Sequence, residues 1–171
     1  MDPAAGPENM KEIRIYVSYD HHFLLCTPED AKWRPRTPVD AQFSIPFGVA
    51  TALVRNGVRL DDFTEEAVKS EEILDMTATM KVEIDHTLKR TDQVDPTRVE
   101  VTMKNGEIYS EQIEDPLGSL RRPMTFADCA GKFKDCAKRM DKEKSERVIE
   151  LIERLEEVED VAEIIGLLTD G

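Results

Sequence analysis

Apolar and polar side chains alternate along "KEIRIYVSY", residues 11–19: Ile13, Ile15 and Val17 fall on one side, Arg14, Tyr16 and Ser18 on the other. A period of two with one apolar side predicts a half-buried strand. The following "DHHFLLC" reads as a second strand or as the ragged end of the first. Three prolines in "TPEDAKWRPRTPVD" (27–40) predict a stretch without regular structure, with Trp33 pinning it to the core. From about 41 to 55 the period lengthens. Phe43, Phe47, Ala50 and Val54 form one helical stripe, closed by "NG" at 56–57 with Gly57 as the left-handed cap. Residues 60–80 predict a second helix, N-capped by Thr64 and burying Ala67, Ile73, Leu74 and Met76 or Thr77.

Alternation returns in "KVEIDH" (81–86), a strand, and is followed by the polar excursion "TLKRTDQVDP", which reads as mobile. "TRVEVTMKNGEIYSEQIE" (97–114) is a β-hairpin. Val99, Val101 and Met103 alternate, "NG" at 105–106 predicts a type I′ turn, and the uneven spacing of Ile108 and Ile113 suggests a bulge or kink. Residues 124–140 predict a helix capped by Thr125 with Asp128 in the capping box, its stripe running through Phe126, Cys129, Phe133, Cys136 or Ala137, and Met140. Two seams close the chain: Val148, Leu151, Ile152 and Leu155, then Val161, Ile164, Ile165 and Leu168, broken at "EEVED". The layout is α+β: an antiparallel sheet with helices packed on one face, plus C-terminal helices.

Composition narrows the function more than the fold. The 171 residues are enough for a proper core, and a net charge of −13 disfavours nucleic acid and anionic membrane. The short basic runs "LKR" (88–90) and "LRR" (120–122) do not offset it. No apolar run reaches membrane-span length, and "MDPAAGPENM" has no signal-peptide pattern, so the chain reads as cytoplasmic. Cys26, Cys129 and Cys136 are odd in number and widely spaced, which argues against disulfides; Cys129 and Cys136, on one helical face, read as small core residues. His21, His22 and His86 have no metal-ligand spacing, and the "HH" pair reads as a solvent-facing strand end. No phosphate-binding glycine loop, H-E-x-x-H or G-x-S-x-G occurs. No catalytic residue, cofactor or metal is assigned.

The order of the blocks carries a resemblance. "MKEIRIYVS" leads to "RPRTPVDAQFSIPFGVATALVRNGVRLDDFTEE", then to "RVEVTMKNGEIYSEQIEDPLGS" and "RPMTFADCAGKFKDCA". Over about residues 9–140 this resembles the C-terminal domain of the MmgE/PrpD family, which includes 2-methylcitrate dehydratase, cis-aconitate decarboxylase and iminodisuccinate epimerase. The resemblance implies a small capping domain of chorismate mutase-like topology over 1–140, with residues 141–171 as a helical extension packed on it. In the family a larger helical domain completes an interdomain site. That domain and the family's Lys-x-Tyr-Pro-x-Cys…His segment are not in this chain.

The resemblance places Gln42, Ser44, Phe47, Arg121 and Arg122 near the interdomain face as substrate-binding candidates. A helix N-terminus favours carboxylates, which supports 42–44; the plainer reading is a helix start with one buried aromatic. Where the family often has Ser-x-x-Tyr, this chain has Ser44-Ile45-Pro46-Phe47, without the hydroxyl. Two functions follow: a lyase component of propionate metabolism, inactive alone and either completed by a separately encoded helical domain or an excised piece of a longer chain, or a non-catalytic binding protein that keeps the fold. A chorismate mutase-like enzyme is a third, resting on topology alone. Self-association into a homo-oligomer is expected from exposed apolar surface.

Overall fold

The computed structural model describes residues 6–90 and 94–169. Its contacts divide the chain into two compact units, Met1–Pro116 and Leu117–Gly171. The first is a four-stranded sheet with helices, and its α+β class is as the sequence predicts.

Strand β1 (Met10–Val17) lies inside the sheet, between β2 (Met80–Ile84) and β3 (Thr97–Met103), with β4 (Ile108–Ile113) outside β3. The β1–β2 pair is parallel and the others are antiparallel, so the sheet is mixed. The long helical crossover from Val17 to Met80 makes that parallel return possible. Ile13, Ile15 and Val17 are fully enclosed on one side of β1 and share a core with Ala41, Phe47, Ala50, Val68, Ile73 and Leu74.

The opposite side is a charged ladder. Glu12 accepts from Arg14 Nε at 2.6 Å and Lys81 Nζ at 2.5 Å, and Arg98 stacks 4.2 Å above the Tyr16 ring. Hydrogen bonds from Lys81 and then Arg14 hold the Glu12 carboxyl at about 2, against an ordinary 4.5. A carboxyl with a depressed folded pKa stabilises the fold above its unfolded value, and that stability disappears as the pH falls through the folded value. Denaturant titrations of wild type and Glu12→Gln are therefore expected to converge between pH 4.5 and 2. Curves that stay parallel through that window would remove Glu12 from the acid response.

Several local readings are corrected. "DHHFLLC" is not a strand but helix α1 (Tyr19–Leu25), because Ser18 Oγ accepts the His21 N–H and starts a helical turn. The proline-rich stretch contains two short helices, α2 (Glu29–Trp33) and α3 (Pro38–Gln42). Pro28 precedes the first and Pro38 opens the second, positions where a missing N–H does no harm. The left-handed cap of helix α4 (Ile45–Arg55) is Asn56, φ 54°, rather than Gly57. Residues 60–80 are not one helix. Turns at Leu60–Phe63 and Ala67–Lys69 precede α5 (Glu71–Thr77), since Asp62 and Thr64 side chains take the Arg59 and Ala67 N–H groups for themselves.

The hairpin pairs regularly from Thr97↔Ile113 to Thr102↔Ile108; the irregularity lies in β1, between Met10 and Glu12. Its turn is not type I′. Gly106 N–H returns to Met103 C=O at 3.0 Å and only Gly106, φ 92°, is left-handed, the pattern of a three-residue loop with a glycine bulge. The excursion after β2 is anchored in part. Leu88 is buried, and Arg90 donates to Asp115 at 2.9 Å and Glu114 at 2.7 Å; residues 91–93 lie outside the described residues.

In the second unit, α6 (Phe126–Cys136) carries the expected Thr125–Asp128 capping box and precedes α7 (Lys142–Glu153) and α8 (Ala162–Thr169). Val148, Leu151 and Ile164 form its core, with Phe133, Val158 and Leu167 against them. Cys129 and Cys136 are exposed, not core; of the α6 stripe, Phe133 is the residue that packs against Val148, Leu151 and Ile164. Cys26 is enclosed, and burial pushes its thiol up to about 12 against the pull of the Lys32 charge. A thiol reagent at neutral pH is expected to label two cysteines in the native chain and all three after denaturation. Native labelling of Cys26 would show that α1 opens.

Candidate functional site

The stretch "DAQFSIPF" breaks because of Pro46. In one continuous helix its ring would strike the Gln42 carbonyl and it has no N–H to donate. The chain therefore leaves α3 at Phe43, passes through extended Ser44, and restarts as α4. Phe43 is accordingly exposed, off the stripe, while Phe47 and Ala50 are fully buried.

Ser44 is the hub of this corner. Its hydroxyl accepts the Phe47 N–H at 3.0 Å and donates to the Lys32 carbonyl at 2.5 Å. Lys32 is 9% exposed, and its Nζ returns a 2.7 Å bond to the Phe43 carbonyl. Lys32 of α2 and the Phe43–Ser44 pair of the α3–α4 corner thus hold each other reciprocally. One residue on, the Thr77 hydroxyl donates to the Trp33 carbonyl at 2.9 Å, tying α5 to the end of α2. No pattern in the sequence pointed to Lys32, since α2 was not expected.

The five candidates are placed differently. Gln42 is exposed at the end of α3, beside exposed Val39 and Phe43. Ser44 is buried with its hydroxyl fully engaged, and Phe47 is in the core, its ring 6.4 Å from that of Phe63. The α4 N-terminus offers an anion little: Pro46 has no N–H and Ser44 takes that of Phe47. Arg121 and Arg122 are exposed in the second unit, where Arg122 closes a turn with Gly118 and Ser119. Of the three candidates in the first unit, Gln42 alone is exposed with a polar side chain.

Two features fall outside those candidates. An open groove of about 940 Å³ is lined by Trp33, Arg34, Arg36, Asp30 and Lys69, with Arg34 and Arg36 pairing to Glu71 at 3.6 Å and Asp30 at 3.7 Å. Next to β1, the Ser18 hydroxyl and the Arg90 N–H hold the Asp95 carboxyl below its usual range, with Lys89 and His21 close by. His21 Nδ1 is buried there without a hydrogen-bond partner. The "HH" pair is therefore helical, and His21 is turned inward. A helical reading of 19–25 would have found it.

Among the described residues no group of three or more His, Cys, Asp or Glu side chains is arranged to hold a metal, and no helix is long and apolar enough to cross a membrane. A search of curated proteins gives no match. The MmgE/PrpD C-terminal domain model matches residues 2–157, most of both units and all of the α2–α4 corner. On that match, the chain belongs to the MmgE/PrpD family, as its C-terminal domain.

Proposed function

We propose that this chain is the capping half of an MmgE/PrpD-type lyase that acts on a branched tricarboxylic acid such as 2-methylcitrate. A helical domain encoded separately completes the site, and the capping half alone does not turn over. The observation that carries the reading is the family match across residues 2–157, which includes a rigid corner ending in the exposed side chain of Gln42. Proton transfer beside a carboxylate needs a positioned acid–base pair and cations for the substrate. Gln42 supplies a neutral hydrogen-bonding group to such a site.

Phe47 favours a second reading, a binding protein that keeps the fold without the chemistry. It stands where the family often has tyrosine, and its ring is fully enclosed. Mixing the chain with a helical domain from the family and assaying 2-methylcitrate dehydration separates the two. Complex formation with turnover supports the lyase; a complex without turnover supports the binding protein. Neither complex nor turnover sinks the first reading, and turnover by the purified 171-residue chain would contradict its inactivity alone.

A further inference from the structure

The outer edge of the sheet is open. All six residues of β4 are exposed, and no described strand lies beyond it. Met103 N–H donates to the Glu107 carbonyl at 2.8 Å, so with the observed register Tyr109, Glu111 and Ile113 direct their backbone groups to β3. The N–H and C=O groups of Ile108, Ser110 and Gln112 therefore face outward. None of these three carries a charge.

We propose that the β4 edge pairs with the same edge of a second copy, antiparallel about a twofold axis at Ser110, joining two four-stranded sheets into one. Charge selects the occupant and its register. Outward residues must meet outward residues, so possible registers differ by steps of two. With Gln112 opposite Ser110, Glu111 faces its own copy; with Ile108 opposite Ser110, Glu107 faces Glu111. Like charges directly opposite are destabilising. With Ser110 opposite itself, Ile108 meets Gln112, Tyr109 meets Glu111, and no carboxylates are directly opposed. That register also engages all three outward residues of each copy, giving about six backbone hydrogen bonds. It brings Ile108, 67% exposed, and Tyr109, 53% exposed, against partner side chains. A twofold interface of this kind is self-complementary by construction.

Sedimentation equilibrium of the 171-residue chain is expected to show a dimer in exchange with monomer. Ser110→Pro removes an outward N–H and leaves the β3 ladder intact, as proline at an edge position does; the mass is expected to fall about twofold, to that of a monomer, with the far-ultraviolet spectrum unchanged. In a Cys129→Ser, Cys136→Ser background, Ser110→Cys is expected to form a disulfide-linked dimer on mild oxidation, since residues opposite each other at a hydrogen-bonded position lie about 5.5 Å apart at Cα. Glu111→Cys is expected not to. A wild type that is monomeric throughout overturns the proposal, as does a dimer that neither responds to Ser110→Pro nor cross-links through position 110. Cross-linking through Glu111→Cys in place of Ser110→Cys overturns the register. Should Ser110→Pro fail to fold, the two cysteine variants decide alone.

Discussion

Truncating Phe47 to alanine is expected to lower the unfolding free energy by about 3–5 kcal/mol, the usual cost of emptying a large buried aromatic site. The ring is fully enclosed within the cluster formed by Ile13, Ile15, Ala50 and Ile73, beside Phe63. Its backbone is pinned too: the N–H goes to Ser44 and the carbonyl accepts from Thr51 at 2.8 Å. Little relaxation can refill the space, which puts the loss in the upper part of that range. Urea denaturation reads the effect, and a loss under about 1 kcal/mol would mean that the core collapses around the gap. Phe47→Tyr asks the family question at the same place. A hydroxyl added to an enclosed ring needs a partner, and without one it costs about 1–3 kcal/mol. A neutral Phe47→Tyr would reveal a polar neighbour or an opening towards a site.

Ser44→Ala is the second large effect, at about 2–4 kcal/mol. Losing a serine N-cap accounts for about 1 kcal/mol, and leaving the Lys32 carbonyl without its donor adds about 1–3. The two losses are coupled, because the same hydroxyl serves both partners and Lys32 Nζ holds the neighbouring Phe43 carbonyl. Urea midpoints of Ser44→Ala and wild type measure it. A change within about 0.5 kcal/mol would free the hydroxyl from its structural duty and return it to the list of ligand contacts.

Side chains that alternate or recur on a single face were legible: β1, the hairpin, α6 with its capping box, and the break between α7 and α8. What escaped was local competition. Ser18 turns an apparent strand continuation into a helix by taking one N–H, and Asp62 and Thr64 divide a helical pattern in the same way. The prolines of 27–40 were read as breakers when Pro28 and Pro38 stand at helix starts. At the candidate corner, residue types were read correctly as a helix entrance. Their exposure was not legible, since Phe43 and Phe47 differ in sequence only by their distance from Pro46. That proline breaks the helix and sends one ring outward and the other in.

The strand order has a consequence for biosynthesis. Strand β1 is made first yet sits between β2 and β3, so its two sides wait for partners that emerge about 65 and 85 residues later. During that interval the two edges of β1 are unpaired, while its apolar side, Ile13, Ile15 and Val17, meets its packing partners Ala41, Phe47, Ala50 and Ile73 as the crossover emerges. The rate at which the sheet closes is then governed by translation of the crossover rather than by the strand's own propensity.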